Sequence, residues 1–214
     1  PMTRRISAST AALLLAPPLF WAGNAVVARA LVGDFPPLAL SFARWALALL
    51  LVLPFALRGL HAAWPQLRGQ WRLMFALSAL GVGCYNSLQY LALQTSTAVN
   101  ATLIGASAPV LTLIVGAALF ATPVLRRQWL GAALSLLGVL LVIARGDALN
   151  LARLQLDRGD LIMLVATLTW SLYTWLLRTR RPTVPATAFL ALQIALGALM
   201  ILPFAIAEYL WTGE

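Results

Sequence analysis

The chain is cut into long apolar runs, and the breaks between them are made almost entirely of arginine, glycine, proline and the few acidic residues. A run of about 18 or more apolar residues matches the thickness of a bilayer's hydrocarbon core. Seven such spans can be read, roughly 10–31, 37–57, 72–93, 98–121, 128–144, 160–177 and 186–207. With 62% hydrophobic and only 10% charged residues, the 214-residue chain lacks the polar surface a soluble fold requires. The sequence therefore predicts an all-α integral membrane protein with lipid as its solvent. The first span is too long and too polar at Pro17, Pro18 and Asn24 to be a cleaved leader. Pro1 before Met2 reads as the remnant of a tag.

The net charge of +9 would suggest nucleic acid in a soluble chain, but every basic residue is arginine and these sit singly or in pairs at the ends of apolar runs. That is a topology signal, and no nucleic-acid partner is expected. With the N-terminus in the cytoplasm, the inside segments hold Arg4, Arg5, Arg58, Arg68, Arg72, Arg126, Arg127, Arg178, Arg180 and Arg181. The outside holds only Arg29, Arg145, Arg153 and Arg158, together with Asp34, Asp147, Asp157, Asp160, Glu208 and Glu214. Positive-inside bias thus places the N-terminus in the cytoplasm. Between the second and third spans, Leu60, Trp64, Leu67 and Trp71 recur at helical spacing and read as an anchor along the inner membrane surface.

Sliding the sequence against itself by 149 residues aligns the first span with the sixth and the second with the seventh, without a gap from Leu19 to Arg58. Trp21 meets Trp170, Arg29 meets Arg178, Pro36 meets Pro185, and Leu53 to Ala56 meets Leu202 to Ala205, both reading Leu-Pro-Phe-Ala. Five spans separate the starts of the two copies. An odd number sets the second copy upside down, which is the inverted-repeat plan of secondary transporters. The domain plan is then a first five-helix repeat over 2–146, an extracytoplasmic linker over 147–159, and the first two helices of the inverted second repeat over 160–214. Seven of ten helices are present on this count.

Short motifs in a fixed order strengthen the reading. Leu19-Phe20-Trp21-Ala22-Gly23-Asn24, Phe42-Ala43-Arg44-Trp45, Ala92 to Ala98 followed by Ala108-Pro109, Arg127-Gln128-Trp129-Leu130-Gly131 with Leu137-Gly138-Val139, and Thr169-Trp170-Ser171-Leu172-Tyr173 resemble the successive helix motifs of the drug/metabolite transporter superfamily, EamA-type. The resemblance covers nearly the whole chain. It implies ten helices in two inverted repeats, a bacterial inner (plasma) membrane location, and export of small metabolites, with aromatic amino-acid exporters a prominent branch. Where many relatives carry Leu-Gly-Glu-Arg after the fourth helix, this chain has Thr122 and Pro123, so no role of that glutamate is carried over.

Catalysis finds little support. Between their first and last residues the seven spans contain no Asp, Glu, His or Lys; the one histidine, His61, lies in an inside loop, and Cys84 is the sole cysteine. Neither a general base for intramembrane hydrolysis, nor a Schiff-base lysine, nor a thiolate metal cluster is at hand. The expectation is a non-enzyme without cofactor or metal, whose partners are a small-molecule substrate and lipid. Carboxylate-based proton coupling has no candidate in these spans.

The candidate substrate-binding residues are Trp21, Asn24, Arg44, Tyr85, Asn86, Gln89, Tyr90, Trp170, Tyr173 and Gln193. Arg44 is the one charge well inside a span, about 10 Å from the outer end of its helix. It either meets a substrate carboxylate, or reaches outer headgroups or a neighbouring carbonyl. Its repeat mate Gln193 is polar too. Tyr85, Asn86, Gln89 and Tyr90 form two i,i+4 pairs whose amides must face protein or water, as a cavity wall or as interhelical bonds. Trp21 and Asn24, like Trp170 and Tyr173, share one helical face. They line the cavity or, for Trp170, belong to the membrane-interface belt. Pro17, Pro18, Pro54, Pro109 and Pro203 are expected to kink their helices. Ala101, Gly105 and Pro109, and Gly131 with Ser135, are expected to let helices pack closely. The leading function is export of aromatic or other neutral amino acids. Rivals are export of drugs or sugar-linked metabolites, and a non-transporting seven-helix receptor or structural protein.

Overall fold

A computed structural model describes residues 8–144, 157–180 and 182–212. Arg4, Arg5, Arg145, Arg181, Glu214 and residues 147–156 of the expected linker, Asp147 and Arg153 among them, lie outside the described residues. No strand occurs among the described residues; the elements are α1 (Ala8–Ala30), α2 (Pro37–Gly69), α3 (Trp71–Ser78), a π-helical turn (Ala79–Cys84), α4 (Tyr85–Thr95), α5 (Ala98–Ala106), α6 (Ala108–Phe120), α7 (Arg126–Ala144), α8 (Arg158–Thr179) and α9 (Ala186–Thr212). Helix covers each of the seven predicted spans. By length and apolarity α2, α8 and α9 can cross a membrane, and α5 with α6 make a fourth if that bent pair is one span. Large apolar side chains such as Leu50, Phe55, Leu134 and Phe204 point outward and are more than half exposed, as a surface dissolved in lipid requires.

At the level of elements the second span runs on further than read, the third is interrupted, and the fourth bends at its expected breaker. The inner-surface anchor is no separate element: α2 runs unbroken through 33 residues to Gly69, past Pro54 and Pro65. Leu67 is buried with Met74 and Leu77 against Leu176 and Leu177, while Trp64 and Trp71 stay exposed. Leu60 and Leu67 thus pack against other helices, whereas Trp64 and Trp71 do not. The third span is interrupted by the π-helical turn, whose wider winding lets Gly81 sit against the Tyr173 ring and the Gln193 amide. The fourth span bends by 42° at Ser107, just before the expected breaker Pro109.

The core is built by α8 and α9 inserted among the first-repeat helices. α9 lies antiparallel to α2. At one end the Glu208 carboxylate accepts the N–H groups of Leu38 (2.7 Å) and Ala39 (3.0 Å), covering donors the first turn of α2 leaves unpaired. At the other end a Cβ on Gly59 would stand 3.5 Å from Ala188 Cβ and 3.9 Å from Thr187 Oγ1. The 149-residue shift carries Leu38 to Thr187 and Gly59 to Glu208, so the two places where α2 and α9 approach are exchanged by that shift.

Helix α8 packs antiparallel to α4. Its N-terminus is held by an Asp157–Asp160 capping box. Asp160, read from sequence as an outside-segment residue, is 2% exposed. Its carboxylate accepts from Ser96 Oγ (2.5 Å), Asn100 Nδ2 (2.9 Å) and the Asp157 N–H (2.9 Å), because the α4–α5 turn folds over it. The small-residue expectation holds in part. Ala101 is buried and Gly105 lies against Met163 of α8, whereas Gly131 has open space around it and Ser135 is exposed among the described residues. α7 presents Ala132, one residue along, to its neighbours instead.

Candidate functional site

Two i,i+4 pairs on α4 point in different directions, and this sorts the sequence-predicted residues. Tyr85 and Gln89 reach an open-sided cavity of about 560 Å³ lined by α1, α4, α5, α6 and α8. Tyr90, on the neighbouring face, is 2% exposed and donates its hydroxyl hydrogen to Asn24 Oδ1 at 2.5 Å, tying α4 to α1. Asn86 is half-buried and does not line that cavity. The group expected to face inward as a whole is thus divided, because residues one apart on a helix diverge by about 100°.

The cavity's aromatic wall comes from three helices. Trp21 of α1 meets Trp170 of α8 edge to face, with centroids 5.8 Å apart and planes at 90°. Tyr85 lies 5.0 Å from Trp170 on the other side. Tyr173, one turn along α8, adds a ring at 5.2 Å. Offset and edge contacts at these spacings are favourable beyond simple burial. Trp21 and Trp170 are matched by the 149-residue shift, so residues aligned by sequence touch each other here, although Trp21 itself is 62% exposed. Apart from Gln89 and Arg29, the rest of the wall is apolar or weakly polar, with Met163, Gly105 and the hydroxyl-bearing Thr102 and Thr167 on it. Thr167 satisfies its hydroxyl on the Met163 carbonyl at 2.8 Å.

Trp170 also borders a second cavity of about 540 Å³, with Tyr173, Arg178 and Phe189 on its wall. Tyr173 reaches Gln193 Oε1 at 3.5 Å, and Gln193 Nε2 donates to the Leu77 carbonyl at 3.2 Å. Gln193 is 4% exposed. It is an interhelical strut joining α9 to α3 behind Tyr173, away from both cavities.

Arg44 lies off both walls. Its guanidinium carbon sits 4.3 Å from the Trp45 ring centroid and 5.8 Å from that of Tyr90, a cation held over two aromatic faces. Arg44 Nε and Nη2, and Trp45 Nε1, are buried with no hydrogen-bond partner among the described residues. Of the ten sequence-predicted residues, the structure gathers Trp21, Tyr85, Gln89 and Trp170 on one wall, puts Tyr173 beside them on the second cavity, and places Asn24, Arg44, Asn86, Tyr90 and Gln193 elsewhere.

Arg29 was assigned to an outside segment, yet it lines the main cavity and donates from Nη1 to the Leu93 carbonyl at 2.7 Å. The signal that could have found it was present: Arg29 and Arg178 match in the repeat, each eight residues beyond the matched tryptophan.

Against known proteins, the profile of the EamA-like transporter family matches residues 8–144. The chain belongs to the EamA-like transporter family. That membership decides for a membrane transporter over the receptor and structural alternatives. An uncharacterized transporter of Archaeoglobus fulgidus is 31% identical over 208 residues, 94% of this chain and 68% of that protein. The uncharacterized transporter YyaM of Bacillus subtilis is 30% identical over 164 residues, covering 75% of this chain. The matched region spans about half of that second relative, 53% of its length. No solved structure matches the chain.

Proposed function

We propose that the protein exports neutral amino acids, aromatic ones foremost, and related small metabolites across the bacterial inner (plasma) membrane. The observation that carries this reading is the run of contiguous rings, Tyr85, Trp170 and Trp21, on the wall of a cavity large enough for an amino acid. Aromatic walls stack on planar apolar groups, while Gln89 and the threonines offer a few hydrogen bonds to polar ends.

Transport proceeds by alternating access between two inverted five-helix repeats, with the N-terminus in the cytoplasm. Two features support the inverted arrangement. Along the antiparallel α2–α9 pair the positions Leu38/Glu208 and Gly59/Thr187 are exchanged by the 149-residue shift, and Trp21 touches the residue it is matched with. Positive-inside bias of the arginines supports the orientation. Rocking one repeat against the other would open the aromatic layer first to one cavity and then to the other.

Counterflow in proteoliposomes holding the full-length gene product, with a panel of labelled amino acids and with or without a pH gradient, tests the reading. Accumulation of phenylalanine, tryptophan or other neutral amino acids without a gradient is the expected result. Absence of counterflow for every amino acid, with drugs or sugar conjugates carried instead, would overturn the substrate assignment and leave the family standing.

A further inference from the structure

Two arginines stand where the proposed path opens, and neither is explained by the aromatic layer. Arg29 lines the main cavity and Arg178 the second. Both are exposed. Each lies eight residues beyond its helix's matched tryptophan, about 12 Å along the axis. α1 runs parallel to α4, since Asn24 meets Tyr90 and Arg29 meets Leu93. α8 runs antiparallel to α4, since Asp160 meets Ser96 and Trp170 meets Tyr85. The two guanidinium groups are therefore carried toward opposite ends of the aromatic layer, with Trp170 bordering both cavities.

A helix C-terminus favours a cation, and both arginines sit in last turns. That accounts for arginine near these ends but not for its position on a cavity wall in both copies. Arg29 uses one of its five N–H donors on the Leu93 carbonyl, which steadies the side chain. Arg178 is held 5.0 Å from the Trp175 ring, whose indole N–H is anchored on the Thr112 carbonyl at 2.5 Å. Among the described residues no Asp or Glu lines either cavity. Each cavity thus offers a positioned fork of donors beside a ring wall and no internal counter-charge, which is what a carboxylate attached to a flat apolar group would complement.

We propose that Arg29 and Arg178 are a matched pair of anion-receiving residues, one per cavity, that select substrates bearing a carboxylate on a planar apolar body. This deepens the transport reading above and rests on it for the direction of passage, though not for the binding itself.

The test titrates the full-length protein in detergent with benzoate and with benzamide, which share shape and differ in charge, by isothermal calorimetry. Benzoate is expected to bind about 10-fold to 100-fold more tightly, the span of a charged hydrogen bond. The R29Q/R178Q double variant is expected to lose that preference, and R29K/R178K to keep part of it. In oriented proteoliposomes R29Q should raise KM for phenylalanine at one membrane face and R178Q at the opposite face. Undetectable or equal binding of the two probes by the wild type overturns the proposal. So does a preference that survives in the double glutamine variant, or an equal KM rise at both faces from either single variant. If no amino acid is transported but the arginine-dependent benzoate preference is present, the export reading fails and this one stands.

Discussion

Single side chains decide where charge can be stored in this bundle. Asp160 is buried, yet each carboxylate oxygen is engaged, one by Ser96 and the other by Asn100 and the Asp157 N–H. Removing the carboxylate strands those donors away from water and undoes the cap of α8. D160A is therefore expected to destabilise the protein by about 1–3 kcal/mol. S96A, which removes one donor and leaves the box intact, should cost about 1 kcal/mol. Thermal unfolding in detergent followed by size-exclusion fluorescence measures both, and an unchanged midpoint for D160A would contradict the clamp. Sequence alone could not show this. Asp157, Arg158, Gly159 and Asp160 read as a polar loop, and only the chain folding back at Ser96 to Asn100 converts the last of them into a core residue. Trp21 and Trp170 were legible for the opposite reason: the repeat singled them out before any geometry was known.

Helices meet where glycine allows it, and the cost of filling each gap differs with what stands opposite. A Cβ on Gly159 would collide with the Ala92 carbonyl and the Ser96 N–H, backbone groups that cannot rotate aside. Gly131 has nothing near it. G159A is accordingly expected to destabilise by about 1–3 kcal/mol. G131A should be neutral to stabilising by up to about 1 kcal/mol, since alanine in a helix loses less chain entropy than glycine. Denaturation midpoints of the two variants side by side check the sign, and equal effects would contradict the packing of α8 on α4.

At this scale the spans themselves were legible from apolar run length, and so was the break near Pro109. The π-helical turn was not. It brings Gly81 against Tyr173 and Gln193 of sequence-distant helices, an approach that no local pattern in Ala79 to Cys84 records. Periodicity at Leu60, Trp64, Leu67 and Trp71 was real, but it is shared between two leucines packed on other helices and two exposed tryptophans, which spacing alone does not separate.

The whole molecule is organised around one aromatic layer and two ends. Glu208 caps α2 at one end of the α2–α9 pair and Gly59 faces Ala188 and Thr187 at the other, and the 149-residue sequence shift that relates these positions also relates Trp21 with Trp170 and Arg29 with Arg178. Asn24, Arg44, Asn86, Tyr90 and Gln193 lie off both cavity walls, because helical spacing fixes which residues share a face, not which face meets a cavity. Tyr90 and Gln193 face inward as expected, yet their polar atoms are consumed by Asn24 and by Leu77.

If access alternates across this layer, Trp170 is the side chain both cavities share. Counterflow of labelled phenylalanine by W170A, against wild type at matched membrane insertion, puts the claim to the most direct test. The account predicts uptake reduced about tenfold or more, with insertion and folding retained. Uptake equal to wild type would contradict it, and the path would have to run elsewhere in the bundle.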